Sequence, residues 1–75
     1  MGIPMNKLGR GRSATVLGLT AQGAFRNRLL DLGLVPGTSV ERVMTSPAGD
    51  PVCYRIRGAM IALRSSDAAC VRVQD

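Results

Sequence analysis

The segment Leu32-Gly33-Leu34-Val35-Pro36-Gly37-Thr38 constrains the fold of this 75-residue chain more than any other. Upstream of it, Phe25, Leu29 and Leu32 lie at i, i+4 and i+7, with Ala21 joining the same face, which predicts a short amphipathic helix over about 21–32. With Leu32 as the last helical position, Gly33 takes the left-handed conformation. Leu34 then follows as the apolar partner of Leu29 that usually accompanies this termination. Pro36 prevents any restart of the helix. Val35-Pro36-Gly37-Thr38 places proline and glycine at the two central positions of a type II turn, the proline setting φ near about −65° and the glycine supplying the positive φ. The chain is therefore thrown from helix into strand within a few residues.

The flanking segments have strand character. Residues 12–19 alternate Ala14 and Val16 with Thr15, Leu17 and Leu19, and Thr20 is placed to cap the helix that follows. A second strand covers 39–45, where the three-residue spacing of Val40 and Val43 breaks alternation and implies a bulge near Arg42. Val52, Tyr54 and Ile56 alternate with Cys53, Arg55 and Arg57 in a third strand. Gly58 marks a tight turn into a fourth, in which Ile61 and Leu63 oppose Met60, Ala62 and Arg64. Ser65 or Ser66 can cap a one-turn helix over about 66–69, and Val71 to Val73 form a fifth strand. The expected fold is mainly β: a small five-stranded antiparallel barrel with an inserted helix, in which closure removes edges that so short a chain cannot cover. Residues 1–11, with three glycines and no periodicity, read as a flexible N-terminal arm preceding a single domain over 12–75.

Composition removes most chemistries. Without histidine and with two cysteines, the chain has no ligand set for a zinc finger or zinc hydrolase, and no Cys-His or Ser-His pair. Cys53 and Cys70 form no C-x-x-C and read as reduced thiols. The five carboxylates, Asp31, Glu41, Asp50, Asp67 and Asp75, are isolated from one another. Asp31 is placed to pair with Arg28, and Asp67 suits a helix N-terminus. Gly9-Arg10-Gly11-Arg12-Ser13-Ala14 matches G-x-G-x-x-A but lacks the preceding strand that a dinucleotide fingerprint needs. The longest stretch free of charge is thirteen residues, Ser13 to Phe25, too short for a bilayer span, and a cytoplasmic location is expected.

A net charge of +5, carried by ten basic against five acidic residues, favours an acidic partner. Small barrels that bind nucleic acid stack bases on aromatic rings, and this chain has one Phe and one Tyr, so no specific nucleic-acid recognition is expected. Two patches qualify for protein docking. Leu30 lies off the apolar face of the helix beside Arg26 and Arg28, either covered by the barrel or exposed as an anchor. The wet face of the central hairpin carries Arg55, Arg57, Met60 and Arg64, and an ordinary solvated face is the alternative reading there.

Taken in order, the run Arg28 to Thr38 with Leu29, Leu32, Gly33, Leu34, Pro36 and Gly37, the loop Gly49-Asp50-Pro51, Arg57-Gly58 and Ala62-Leu63-Arg64 resemble the FeoA family of ferrous iron transport proteins. The resemblance spans about 12–73. It implies an SH3-like barrel and a small non-enzymatic cytoplasmic accessory that docks on FeoB, the ferrous iron permease with a GTPase domain, and modulates it. Arg42 stands where the resemblance leads one to expect an apolar residue, and Cys53 and Cys70 are unexpected cysteines. They raise an alternative, a sensor that binds ferrous iron or another divalent transition metal weakly through carboxylates and thiols, with no defined ligand set. Non-specific nucleic-acid binding is a third reading.

Overall fold

In the computed structural model, which describes residues 2–74, one antiparallel sheet of six strands curls around the core. Its strands are β1 (Ile3–Pro4), β2 (Ser13–Leu19), β3 (Ser39–Thr45), β4 (Val52–Ile56), β5 (Ala59–Leu63) and β6 (Val71–Gln74). They lie in the order β1-β6-β2-β3-β4-β5, so β1 and β5 are the edges of an open, barrel-like sheet. Helix α1 (Gly23–Asp31) joins β2 to β3, and the single turn α2 (Ser65–Ala68) joins β5 to β6. Met1 and Asp75, the outer limits of the expected arm and domain, lie outside the described residues.

Period-two patterning puts Ala14 and Val16 of β2, Val52, Tyr54 and Ile56 of β4, and Val71 and Val73 of β6 into one buried cluster. The expected bulge is present: the β3–β4 register shifts between Arg42 and Met44. A second shift lies between Val16 and Gly18, and Leu17, on the outer face with Ser13 and Thr15, is 42% exposed.

The helix stop forms as the spacing requires. Gly33 has φ of +100°, its N–H donates to Leu30 at 2.9 Å, and the Leu34 N–H donates back to Leu29 at 3.2 Å. This is the paired bond pattern of a Schellman termination, with Leu29 and Leu34 both buried. In the following turn, Gly37 has φ of +94° and the Thr38 N–H donates to the Val35 carbonyl at 3.1 Å.

Three expectations need correction. The helix begins at Gly23 rather than near 21, because Gln22 is extended and takes the N-cap position, while Thr20 bonds the Cys70 carbonyl through both its N–H and its hydroxyl. At α2, Arg64 rather than a serine is the N-cap residue, and the Ser65 N–H donates to Asp50 Oδ1 at 2.6 Å. That bond gives the Gly49-Asp50-Pro51 loop its role, tying the β3–β4 connection to the start of α2. The Asp50–Pro51 peptide is cis.

The largest correction concerns the N-terminal arm. It contributes a sixth strand, β1 paired with β6, followed by a 3₁₀ turn over Met5–Lys7. Met5 and Leu8 are both 0% exposed. Long-range side-chain bonds also hold the segment: Tyr54 Oη to the Met5 carbonyl (3.4 Å), Arg42 to the Leu8 carbonyl (2.8 Å), Arg72 to the Gly2 carbonyl (2.6 Å), and Asn6 Nδ2 to Ser65 Oγ (3.1 Å). Arg42, the cation at an expected apolar position, therefore has a structural purpose, since its second amino group also donates to Thr45 Oγ1 at 2.9 Å. Sequence patterning missed the arm because Met5 and Leu8 span a single turn, too short to show a period, and every partner is remote in the chain.

Tyr54 is fully buried. Burial pushes its hydroxyl above the ordinary 10.0, the Arg42 charge pulls it part of the way back, and Asp50 adds a smaller upward push. The folded state thus favours the neutral phenol, whereas the unfolded ring ionises near 10.0. Stability from this group is intact below that pH and falls as pH rises through the elevated folded value. In urea unfolding, the wild type is expected to lose more stability between about pH 8 and pH 11 than Tyr54→Phe does. Equal losses in the two proteins would contradict the assignment.

Candidate functional site

An open groove of ≈ 450 Å³ is bounded by Ser13 of β2, Thr38 to Glu41 at the start of β3, and Arg55, Arg57 and Gly58 of the central hairpin. Strand register explains the lining. Ser13 faces Glu41, Glu41 faces Arg55, and Arg55 faces Met60, so one row of side chains crosses four strands on the outer surface of the sheet. Val40, the apolar member, is almost wholly buried.

Arg57 joins the hairpin to the helix. It is a non-glycine residue at φ of +53°, followed by Gly58 at +80°, which is the pattern of a two-residue type I′ hairpin turn. Its side chain lies over Gly33: a Cβ at Gly33 would stand 2.9 Å from Arg57 Cδ and 3.2 Å from Nε. The arginine thus covers the C-terminal end of α1, where the helix dipole favours a cation. The glycine that the helix stop requires also makes room for the arginine.

The other expected docking residues divide into three places. Arg26 and Arg28 are exposed on α1, and Leu30 is half-buried, between its two readings. Only Leu29 of the helix is buried, so most of α1 stands open to solvent. Met60 is 50% exposed beside Arg55. Arg64 is exposed at the far end of β5 and apart from the groove, its carbonyl accepting the Asp67 and Ala68 N–H groups. Sequence reasoning missed Ser13, Thr38, Ser39 and Glu41, which only cross-strand register brings beside the arginines. It also missed Met44, 53% exposed next to Cys53.

Chemically, the groove offers two guanidinium groups and three hydroxyl side chains against one carboxylate, a lining suited to acidic side chains. Among the described residues no three Cys, Asp or Glu side chains stand together as a metal site. Cys53 and Cys70 are free, half-buried thiols, and Cys70 Sγ lies 3.8 Å from the Ser66 carbonyl. The donors among the described residues therefore do not assemble a ligand set for a resident metal ion. Of the two aromatic rings, Tyr54 is buried and Phe25 packs against the core. No helix among the described residues is long and apolar enough to cross a membrane.

Fold and site together define a small SH3-like domain with a basic outer groove. The FeoA domain family model matches residues 3–75, and the chain belongs to that family. The match begins at the first residue of β1, inside the segment that sequence patterning left outside the domain. A fusion of Fe(2+) transport protein A with the Fe(2+) transporter FeoB from Porphyromonas gingivalis is 36% identical over 70 residues, covering 93% of this chain and 8% of the relative. The chain thus corresponds to a small part of that protein. The solution structure of a FeoA-like protein from Clostridium acetobutylicum superposes with a TM-score of 0.89 at 32% identity, over 97% of this chain and 85% of the other. FeoA from Stenotrophomonas maltophilia, a prokaryotic SH3 domain protein solved with zinc, superposes at 0.83 and 32% identity, over 99% and 89%.

Gly33→Ala combines a left-handed alanine, costing about 1–2 kcal/mol, with a collision against Arg57. In chemical denaturation it is expected to destabilise the wild type more than it destabilises an Arg57→Ala background, where only the backbone cost remains. Equal penalties in both backgrounds would show that the Arg57 side chain moves aside without cost.

Proposed function

We propose that this FeoA domain is a non-enzymatic accessory of ferrous iron uptake that docks on the cytoplasmic part of FeoB and modulates it. The observation that carries the reading is the Porphyromonas gingivalis relative, in which a matching domain and FeoB share one polypeptide. Fusion holds two modules at high effective concentration and so favours even a weak contact between them. The proposed contact surface is α1 with Arg26, Arg28 and Leu30, continuing over Arg57 to Arg55 and Met60. Arg57 links the two patches by lying on Gly33. An acidic face is the complement of this surface, and removal of rim arginines acts mainly on association rate and salt dependence.

Direct metal binding is the second reading, and the zinc complex of the Stenotrophomonas maltophilia relative is what favours it. The donor set among the described residues does not support it, so iron is assigned to the transporter as its cargo. Anaerobic calorimetry with ferrous ion is expected to give no saturable heat, and a stoichiometric isotherm would reverse the assignment.

The docking reading is tested by adding the soluble GTPase domain of FeoB to isotopically labelled protein. Amide shifts are expected at Arg26 to Leu30 and at Arg55 to Met60. Arg28→Glu should weaken binding several-fold, with a smaller effect at high salt. An unperturbed spectrum at both the helix and the hairpin would refute the proposed contact.

A further inference from the structure

The two edges of the sheet are built differently. Strand β1 has two residues, one of them Pro4, and continues directly into a 3₁₀ turn. Short length and proline are common ways of blunting an edge. Strand β5 carries neither device. Ala59-Met60-Ile61-Ala62-Leu63 is five residues long, apolar throughout, free of charge and proline, and in unbroken register with β4. Among the described residues, no strand pairs with its other side.

Register determines which backbone groups face outward. Ile56 and Ala59 flank the two-residue turn and form its hydrogen-bonded pair. Because such pairs alternate along an antiparallel ladder, Tyr54–Ile61 and Val52–Leu63 are hydrogen-bonded as well. Met60 and Ala62 therefore turn their N–H and C=O groups away from β4. Their side chains are also exposed, Met60 to 50%. An added strand would find backbone donors and acceptors at both residues and an apolar surface beside them.

The surrounding charge selects the occupant. Arg57 stands at one end of β5, Arg64 at the other, and Arg55 faces Met60 across the hairpin. Asp50 is engaged by the Ser65 N–H, and Glu41 faces Arg55. A second copy of this chain pairing antiparallel along β5 would bring the Arg57 end against the Arg64 end, and parallel pairing would set like against like. Both arrangements oppose like charges. An extended apolar segment with acidic residues at each end matches the edge in length, about 17 Å, and in charge.

We propose that the free edge of β5 is a strand-addition site for an extended, acid-flanked apolar segment of a partner protein. Backbone pairing supplies the affinity, and Arg57 and Arg64 set the register and the charge preference. The proposal deepens the docking reading and rests on it only for the partner's identity.

The test uses the intact chain and a synthetic peptide of five alternating valine and threonine residues between two pairs of acidic residues. Amide shifts on titration are expected to centre on Met60 to Ala62. Ala62→Pro removes an outward N–H without touching the β4 ladder and should weaken binding about tenfold, as should replacing the acidic flanks of the peptide by arginine. Arg64→Glu, a surface change that leaves the core intact, should reduce the preference for acidic flanks and keeps the test decisive if the proline variant fails to fold. Shifts centred elsewhere, equal binding of both peptides, or self-association through β5 without peptide would overturn the proposal. Peptide failure alongside a positive response to the FeoB domain removes the edge site alone. Peptide binding without that response removes only the FeoB reading.

Discussion

Burial of Met5 and Leu8 against the Tyr54 end of the core is the contact on which the rest of this fold depends. A chain of this mass buries only about 60% of its unfolded surface, so few side chains are available to fill an interior. Tyr54, Met5 and Leu8 are among the bulkiest of those fully enclosed. The phenol reaches the Met5 carbonyl and Arg42 reaches the Leu8 carbonyl, so the polar groups of the inserted segment are bonded where its apolar groups are buried. Without that segment, β6 would lose its outer neighbour and the sheet would have a longer unpaired edge.

A second constraint positions the outer surface. The left-handed glycine that ends α1 also leaves the space that Arg57 occupies, so one residue stops a helix, turns the chain into β3 and receives the tip of the β4–β5 hairpin. This sets a mostly exposed helix beside the exposed tip of the hairpin. The groove beside it collects three hydroxyl side chains and two guanidinium groups around one carboxylate.

Much of this was legible in the residues themselves. The helix stop, the type II turn, the bulge near Arg42, both strands of the central hairpin and the short second helix follow from local stereochemistry and period-two patterning, which act over a few residues. The family resemblance rests on the same signals, because L-G-x-x-P-G, G-D-P and R-G are each a turn or stop whose geometry few residues satisfy. Arg55 and Met60 were identifiable as neighbours because a tight hairpin fixes its own register. By contrast, Glu41 beside Arg55, the Arg57 side chain on Gly33, and Asp50 at the start of α2 join segments whose relative placement no local rule specifies.

The sequence by itself determined where the chain bends, which faces of its strands are apolar and which residue types it lacks, because backbone conformation and side-chain type are local properties. Only the tertiary structure decided that the N-terminal arm belongs to the core, that an arginine at position 42 is a tether and that β5 remains an open edge. Those outcomes depend on contacts between residues far apart in the chain, where burial and hydrogen bonding are settled by the whole assembly rather than by any neighbouring residues.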